Sequence, residues 1–453
     1  MTIKIPFLEL PKILASNLIE IIDSDHKNQI TQIALGITTD TRHVKSGEIF
    51  LALVGEKFDG HDFVSDAVKQ GAIAIVVNRP ISQDLAIAQF VVRDTLHAYQ
   101  QIAQWWRNQF SIPVIGITGS VGKTSTKELI SAVLSTKGKV LKTQKNYNNE
   151  IGVPKTLLEI TSEDDYAVIE MAMRGRGEIA LLTQIAQPTI GVITNVGTAH
   201  IGRLGSREAI AQAKCELLAN MPSDSVAILN HDNPLLLSTA AEVWQGKTIT
   251  YGLEGGGDLQ GKIINSDTLQ VAEQNFPLPL AGIHNGSNYL AAIAVAQVLK
   301  IDLTPLLAGL TVELPQGRAK RYQLANDILL LDETYNAGLE SMQAALKLLQ
   351  ETPGKRHIAV LGTMKELGDY AAKFHYQVGK TVKKLGIDLL FVLADETATE
   401  EIIKGANGVK AECFKEKELL SFRLQEIISQ GDRVLFKASN SVGLNQVVEQ
   451  IKK

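Results

Sequence analysis

Short runs of β-branched and aliphatic residues alternate along the chain with longer segments whose apolar positions recur at helical spacing. Near the N-terminus EIFLALVG (Glu48 to Gly55), AIAIVVN (Ala72 to Asn78) and FVVRD (Phe90 to Asp94) predict strands. FVSDAVKQG predicts a helix between the first two, closing on Gly71 as the residue after its C-cap. From Thr95 the amphipathic segment LHAYQQIAQWWRNQF leads into the next strand, with Trp105 and Trp106 expected as core anchors. KVLKTQ, YAVIEMA, TIGVITNVG, DSVAILN and TITYG then recur between helical segments, the rhythm of a doubly wound sheet. DLQGKIINSDTLQVAEQNFPLPL breaks that rhythm and predicts a β-hairpin appendage. The Ala-rich helix HNGSNYLAAIAVAQVLK follows it. LPQGRAKR (Leu314 to Arg321) has the composition of a linker. Beyond it ILLLDETY, HIAVLG, LLFVLA and RVLFKAS alternate with helices as in a second Rossmann-like unit.

The expected fold class is α/β in three domains. A small N-terminal α/β unit would occupy residues 1–93, a central doubly wound sheet 94–314 and a C-terminal Rossmann-like domain 315–453, in keeping with a chain of 453 residues. A formal net charge of -4 supplies no basic footprint for nucleic acid and no polybasic membrane patch. No apolar run reaches the length of a membrane span. MTIKIPFLELPKILASN carries prolines, Glu9 and Lys12 where a signal peptide needs an unbroken apolar stretch. Cys215 and Cys413 are too few for a disulfide framework, so a reducing cytoplasm is expected. A monomer is expected as well.

One stretch organises the chemistry. In PVIGITGSVGKTSTKE (Pro113 to Glu128) a strand-like run ends in Gly119-Ser120-Val121-Gly122-Lys123-Thr124-Ser125, and a helix-forming segment follows at once. Glycines let consecutive N–H groups turn around a phosphate chain, and the positive end of the helix dipole adds to them. Lys123 can then reach the β/γ-phosphates, and the Thr124 hydroxyl can ligate Mg²⁺. Ile117 stands where the longer phosphate loop has its first glycine, so the loop is of the shortened GxxGKT form.

Other polar residues sit just past buried-looking strands, where open α/β sheets place ligands. Glu170, between Ile169 and Met171, needs a partner for its charge, either a structural cation or Mg²⁺ shared with Thr124. Taken alone, His200 reads as a packed or solvated histidine, Lys214 as a solvated helix lysine and Cys215 as a small core residue.

Longer stretches carry a resemblance. The phosphate loop, KNYNNEIGVPKTLL (Lys145 to Leu158), EMAMRGRGEI, TNVGTAHIGRLGS and AKCELL are similar to the Mur ligases, the ATP-dependent amide ligases of peptidoglycan synthesis. LNHDNP, GIHNGSNYLAA, Gly317-Arg318 and LLDETYNA continue the match in order across all three expected domains. FDGHDF and LGTMKELGD (Leu361 to Asp369) resemble the branch that adds D-alanyl-D-alanine to UDP-N-acetylmuramoyl-tripeptide.

The resemblance implies roles. Asp40, Thr41 and Arg42 would contact the uridine diphosphate end, and Asn149 the substrate or phosphates. Thr124 and Glu170 would hold one Mg²⁺; His200 and Lys214 would serve a second, Lys214 as a carbamate formed with CO₂. Asn285 and Asn288 would lie along adenine, Arg318 and Asp332 would reach phosphate and ribose, and Lys365 would meet an acyl phosphate. LPQGRAKR would then be a hinge on which the domains converge. Two departures fall on the acceptor side: Gly338-Leu339 where the branch reads Asn-Pro, and Asn440 where it carries an arginine. Other family ligases, folylpolyglutamate synthases included, and a non-catalytic ATP-binding protein are the alternatives.

Overall fold

The computed structural model describes residues 3–22, 32–81, 85 and 87–452. Its strands fall into three larger sheets and one short ribbon, with helices covering the sheet faces.

The first unit contains β1 (Ile5–Pro6), β2 (Leu18–Ile22), β3 (Ile33–Ala34), β4 (Ile37–Thr38), β5 (Ile49–Leu51), β6 (Ala74–Val77) and β7 (Ala88–Val92). β1 and β3 form the ribbon. The others form a sheet in the order β2-β7-β6-β5-β4, parallel except for β2. The sequence reading anticipated β5, β6 and β7, which are fully buried. It missed β2, an edge strand that turns Ile19 and Ile21 to the surface and so shows no buried face in its pattern.

The central unit carries β8 (Val114–Thr118), β9 (Val140–Lys142), β10 (Tyr166–Glu170), β11 (Ile190–Ile193), β12 (Val226–Asn230), β13 (Lys247–Gly252), β14 (Leu259–Asn265), β15 (Thr268–Val271) and β16 (Gln274–Pro277). They form a nine-stranded sheet in the order β16-β15-β14-β13-β12-β11-β8-β10-β9. Ile115 and Ile117 of β8 pack with the helices Lys123–Leu134 and Ile283–Val298 on one face. Val114 joins the core on the other, which continues without a break into the N- and C-terminal units. Trp106 is buried and its Nε1 donates to the Ile160 carbonyl at 3.0 Å; Trp105 only packs against the edge of that core.

The stretch read as a hairpin appendage is instead a three-stranded meander that extends this sheet. β14 pairs in parallel with β13 at Tyr251↔Leu259 and Gly252↔Gln260, and β15 and β16 follow antiparallel. Leu259, Leu269, Val271 and Phe276 put their buried face on the core beneath the Ile283–Val298 helix, which is why the segment does not stand free.

The third sheet comprises β17 (Lys320–Gln323), β18 (Leu329–Asp332), β19 (Arg356–Gly362), β20 (Leu389–Leu393), β21 (Lys410–Phe414) and β22 (Asp432–Lys437), in the order β17-β18-β22-β19-β20-β21. Only β17 is antiparallel. β17 and β21 are its edges; neither has a fully buried face, and neither was anticipated. Among the described residues no helix is long and apolar enough to cross a membrane.

β8 lies between β10 and β11, so the chain departs from it in both directions across the sheet. The loop after β8 therefore opens into the crevice where a doubly wound sheet binds its ligand.

Candidate active site

Gly122 caps the Lys123–Leu134 helix with φ +84°, a left-handed conformation that glycine adopts without cost. A Cβ there would also stand 2.7 Å from Asn288 Oδ1. The amides from Gly122 to Ser125 open the helix and find no backbone acceptor among the described residues, so they face the crevice as donors. The loop is held from behind by the segment after β11. Ser120 N donates to the Asn195 carbonyl at 3.1 Å and Val121 N to Asn195 Oδ1 at 3.0 Å. Thr194 Oγ1 donates to the Val121 carbonyl at 2.7 Å.

Lys123 Nζ donates to the Gly119 carbonyl at 2.8 Å, folded over its own loop. Burial lowers its pKa against the opposing pull of Glu170. Glu170, at the end of β10, takes the Thr124 hydroxyl on Oε2 at 2.9 Å and Asn148 Nδ2 on Oε1 at 2.8 Å. Its own amide donates to Thr143 Oγ1 at 2.9 Å. Among the described residues no cation pairs with Glu170, so the structural ion pair weighed for it is absent and its partners are neutral hydrogen-bond donors.

Lys214 is not the solvated lysine that its helix suggested. It is 1% exposed, with no hydrogen-bond acceptor among the described residues. Burial first, and then the charge of Lys123, hold its pKa well below the usual lysine range. Cys215 beside it is a core thiol pushed up to about 12 by burial. His200 sits at φ +65° and its pKa is lowered to about 4 by burial, then by Lys123, with Glu366 pulling the other way. Its Nδ1 lies 2.7 Å from Glu366 Oε2, in the third unit.

A cavity of about 340 Å³ opens in front of the phosphate loop. The central unit contributes Ser120 to Ser125, Asn285 and Asn288; Arg318 comes from the linker, and Tyr335, Glu340 and Lys437 from beyond it. Asn288 Nδ2 donates to Asn285 Oδ1, and Thr126 Oγ1 to Asn288 Oδ1, which fixes both amides at the wall. The Arg318 guanidinium stacks 3.9 Å from the Tyr335 ring centroid, and its buried Nε has no acceptor among the described residues. The cavity thus offers a row of N–H donors, two lysines and an arginine, with the carboxylates of Glu333 and Glu340 also in its wall; the Thr124 hydroxyl lines it and hydrogen-bonds Glu170.

The whole chain compares with known proteins along its length. Residues 35–107 match the Mur ligase family catalytic domain, 117–296 the Mur ligase middle domain and 317–440 the Mur ligase glutamate ligase domain. A protein of Synechocystis sp. named UDP-N-acetylmuramoyl-tripeptide–D-alanyl-D-alanine ligase is 58% identical over 452 residues, spanning 100% of this chain and 98% of its own length. The chain belongs to the Mur ligase family. The fold agrees: MurF from Acinetobacter baumannii superposes with a TM-score of 0.89 at 32% identity, covering 100% of this chain and 99% of its own. MurF ligase from Thermotoga maritima, solved in complex with ADP, gives 0.82 at 30% identity over 94% and 98% of the two chains.

As a Mur ligase this is an ATP-dependent ligase, and the remaining residues expected at its site divide into groups. Asn149 and His200 line a second cavity of about 300 Å³, together with Asn148, Arg174 and Glu178. Asn149 Oδ1 also accepts from Gly152 N at 2.9 Å, at the start of the Gly152–Leu157 helix. Asp40 accepts from Arg42 N, Nε and Nη2, forming a turn at the C-terminal end of β4 with Thr41 inside it. The Arg42 guanidinium holds the Asp40 carboxyl down at about 2. Neither cavity reaches these three residues.

Two expectations meet a different geometry. Asp332 is buried and spends Oδ1 on the amide and hydroxyl of Thr334, behind the wall of the larger cavity; Glu333 and Lys437 face it instead. Lys365 pairs with Asp395 Oδ2 at 2.6 Å and Glu396 Oε1 at 2.7 Å and does not line the larger cavity. Sequence reasoning also passed over Asn148, Thr194, Asn195 and Glu340. The first three stood inside stretches noticed for their likeness, and their partners become visible only when β8, β10 and β11 align. Glu340 carried no local signal, since it works on Thr198, 142 residues earlier.

Proposed function

We propose that this ligase joins D-alanyl-D-alanine to UDP-N-acetylmuramoyl-tripeptide in peptidoglycan precursor synthesis. The observation that carries the chemistry is the single cavity in which the phosphate loop of one unit faces Arg318 and Lys437 of another. ATP would lie there, with its phosphates on the amides from Gly122 to Ser125 and on Lys123, and its base along Asn285 and Asn288. The cavity holding Asn149 and His200 would receive the peptide end of the UDP-substrate, whose uridine diphosphate would reach Asp40, Thr41 and Arg42 in the N-terminal unit.

A terminal carboxylate oxygen attacks the γ-phosphorus and ADP leaves, giving an acyl phosphate. The amine of the dipeptide attacks the acyl carbon, loses a proton and releases phosphate. Lys123 and Arg318 offset the repulsion between carboxylate and triphosphate, so the protein contributes positioning and charge more than covalent bonds.

Thr124 and Glu170, whose oxygens already meet at 2.9 Å, are a hydroxyl and carboxylate pair that fits Mg²⁺ completed by phosphate oxygens. When bound, Mg²⁺ neutralises charge on the β- and γ-phosphates. A second ion at His200 does not fit Lys214 as an amine. Burial lowers the pKa of that amine, which favours the neutral form that adds CO₂, and a carbamate would supply the missing oxygen ligand. Lys365 and Asp332 would join the substrates only after rearrangement of their present contacts.

All three units that build the site come from one chain, which supports a monomer. Neither cysteine is in a disulfide, which supports the cytoplasm. Phosphate release measured with ATP, the UDP-tripeptide and single amines tests the reading. Release is expected only with all three components and most with D-alanyl-D-alanine; release without an amine, or a preference for a single amino acid, would contradict it.

A further inference from the structure

We propose that Glu366 is a positioning residue for the ligation, fixing the ring of His200 from across the boundary between the second and third units. The inference rests on the ligase reading above.

A carboxylate only accepts, so in the contact of Glu366 Oε2 with His200 Nδ1 at 2.7 Å the ring must donate from Nδ1. That assigns the N–H to one nitrogen and leaves Nε2 as the acceptor. Histidines that do chemistry are commonly set in this way by a carboxylate on the opposite nitrogen. The ring is one wall of the cavity assigned to the peptide end of the substrate, and its side chain is 25% exposed, so solvent alone would not hold its orientation.

Backbone geometry at both ends of this contact is unusual. His200 has φ +65° and Glu366 φ +62°, left-handed conformations that non-glycine residues adopt at a cost and that cluster at functional positions. The surroundings enforce them. Gly202 and Gly368 meet backbone to backbone, and a Cβ on Gly202 would lie 2.6 Å from Gly368 N. Tyr370 Oη donates to the Gly205 carbonyl at 3.2 Å, and Arg203 Nη2 reaches Glu366 Oε1 at 3.4 Å. At the other end of the same loop Glu340 accepts from Thr198 N and Oγ1 at 2.8 and 2.9 Å. The segment from Thr198 to Gly205 is thus gripped by the third unit along its length, and Glu366 is the grip that reaches a functional side chain. Docking of that unit and a correctly set His200 become one event.

The test uses the full chain labelled with ¹⁵N-histidine, the His200 signals being identified among nine histidines by their loss in His200→Gln. In the wild type the His200 ring should carry its proton on Nδ1. Glu366→Ala should lose that preference and lower kcat by about 10–100-fold, the usual cost of removing a carboxylate that orients a functional histidine. The KM for ATP should move little. Glu366→Gln can still present an amide oxygen, so it should keep the Nδ1 proton and recover part of kcat, and it decides the matter if the alanine variant does not fold. An unchanged Nδ1 proton in Glu366→Ala, or a lost one with kcat within about twofold of wild type, overturns the proposal. Absence of ligation by the wild type would overturn the ligase reading instead.

Discussion

Lys123 is half-buried at the wall of the cavity and Lys214 is fully buried, and their surroundings ask different things of them. Lys123 stands over the phosphate loop and donates to the Gly119 carbonyl. Lys123→Ala should therefore lower ligation by at least about 10²-fold, the scale of one lost charge-stabilising group. Binding of the UDP-substrate, measured by calorimetry, should be nearly unchanged; loss of that binding would break the assigned division of labour. Lys214 is buried, and burial first and then the charge of Lys123 lower its pKa. Lys214→Ala should be inactive and partly restored by a small carboxylic acid in excess, which can occupy the vacated oxygen position. Lys214→Arg should stay inactive because guanidinium keeps its charge. Full activity of either variant without added acid would remove Lys214 from the site.

At the scale of the element, the strand-loop-helix from Val114 to Leu134 was legible before any coordinates, because local glycine chemistry and hydrophobic runs specify it. Gly122→Ala should strain the loop by about 1–3 kcal/mol and push against Asn288, with a large loss of ATP affinity and a small change in melting temperature. Retained ATP affinity would mean that the loop tolerates a side chain at φ +84°. FDGHDF shows the opposite case. It stood out for its likeness to the D-alanyl-D-alanine-adding branch, whereas the structure uses Asp59 and buried His61 to fasten the loop after β5: His61 N donates to Asp59 Oδ1 at 2.9 Å and Arg79 Nη2 to Oδ2 at 2.7 Å. Those contacts hold the Asp59 carboxyl below the usual range, chiefly through the His61 amide. A carboxyl depressed on folding contributes stability that is present above its unfolded pKa of about 3.9 and is lost as pH falls below it. Asp59→Asn should lose that dependence, seen as a flatter melting temperature between about pH 4 and 2; an acid limb as steep as the wild type's would assign it to other carboxyls. Edge strands β2, β17 and β21 stayed invisible because they lack the buried alternating face that pattern reading depends on.

For the whole molecule, the order of units was readable from sequence, but the way they meet was not. Pairs such as Thr198 with Glu340 and His200 with Glu366 join residues more than 140 positions apart, and only the folded chain brings them together. These carboxylates hold the third unit against the second. Loss of both, in the Glu340→Ala/Glu366→Ala double variant, should raise the radius of gyration in small-angle scattering, and an ATP analogue with the UDP-tripeptide should partly reverse the rise. A profile identical to wild type would place the docking energy in the shared apolar core instead. The central claim is that ATP activates a carboxylate which the dipeptide then captures. Mass spectrometry after a reaction with ¹⁸O in the tripeptide's terminal carboxylate tests it most directly. The account predicts a UDP-linked pentapeptide product and one ¹⁸O in the released phosphate; phosphate free of the label, or AMP as the nucleotide product, would contradict it.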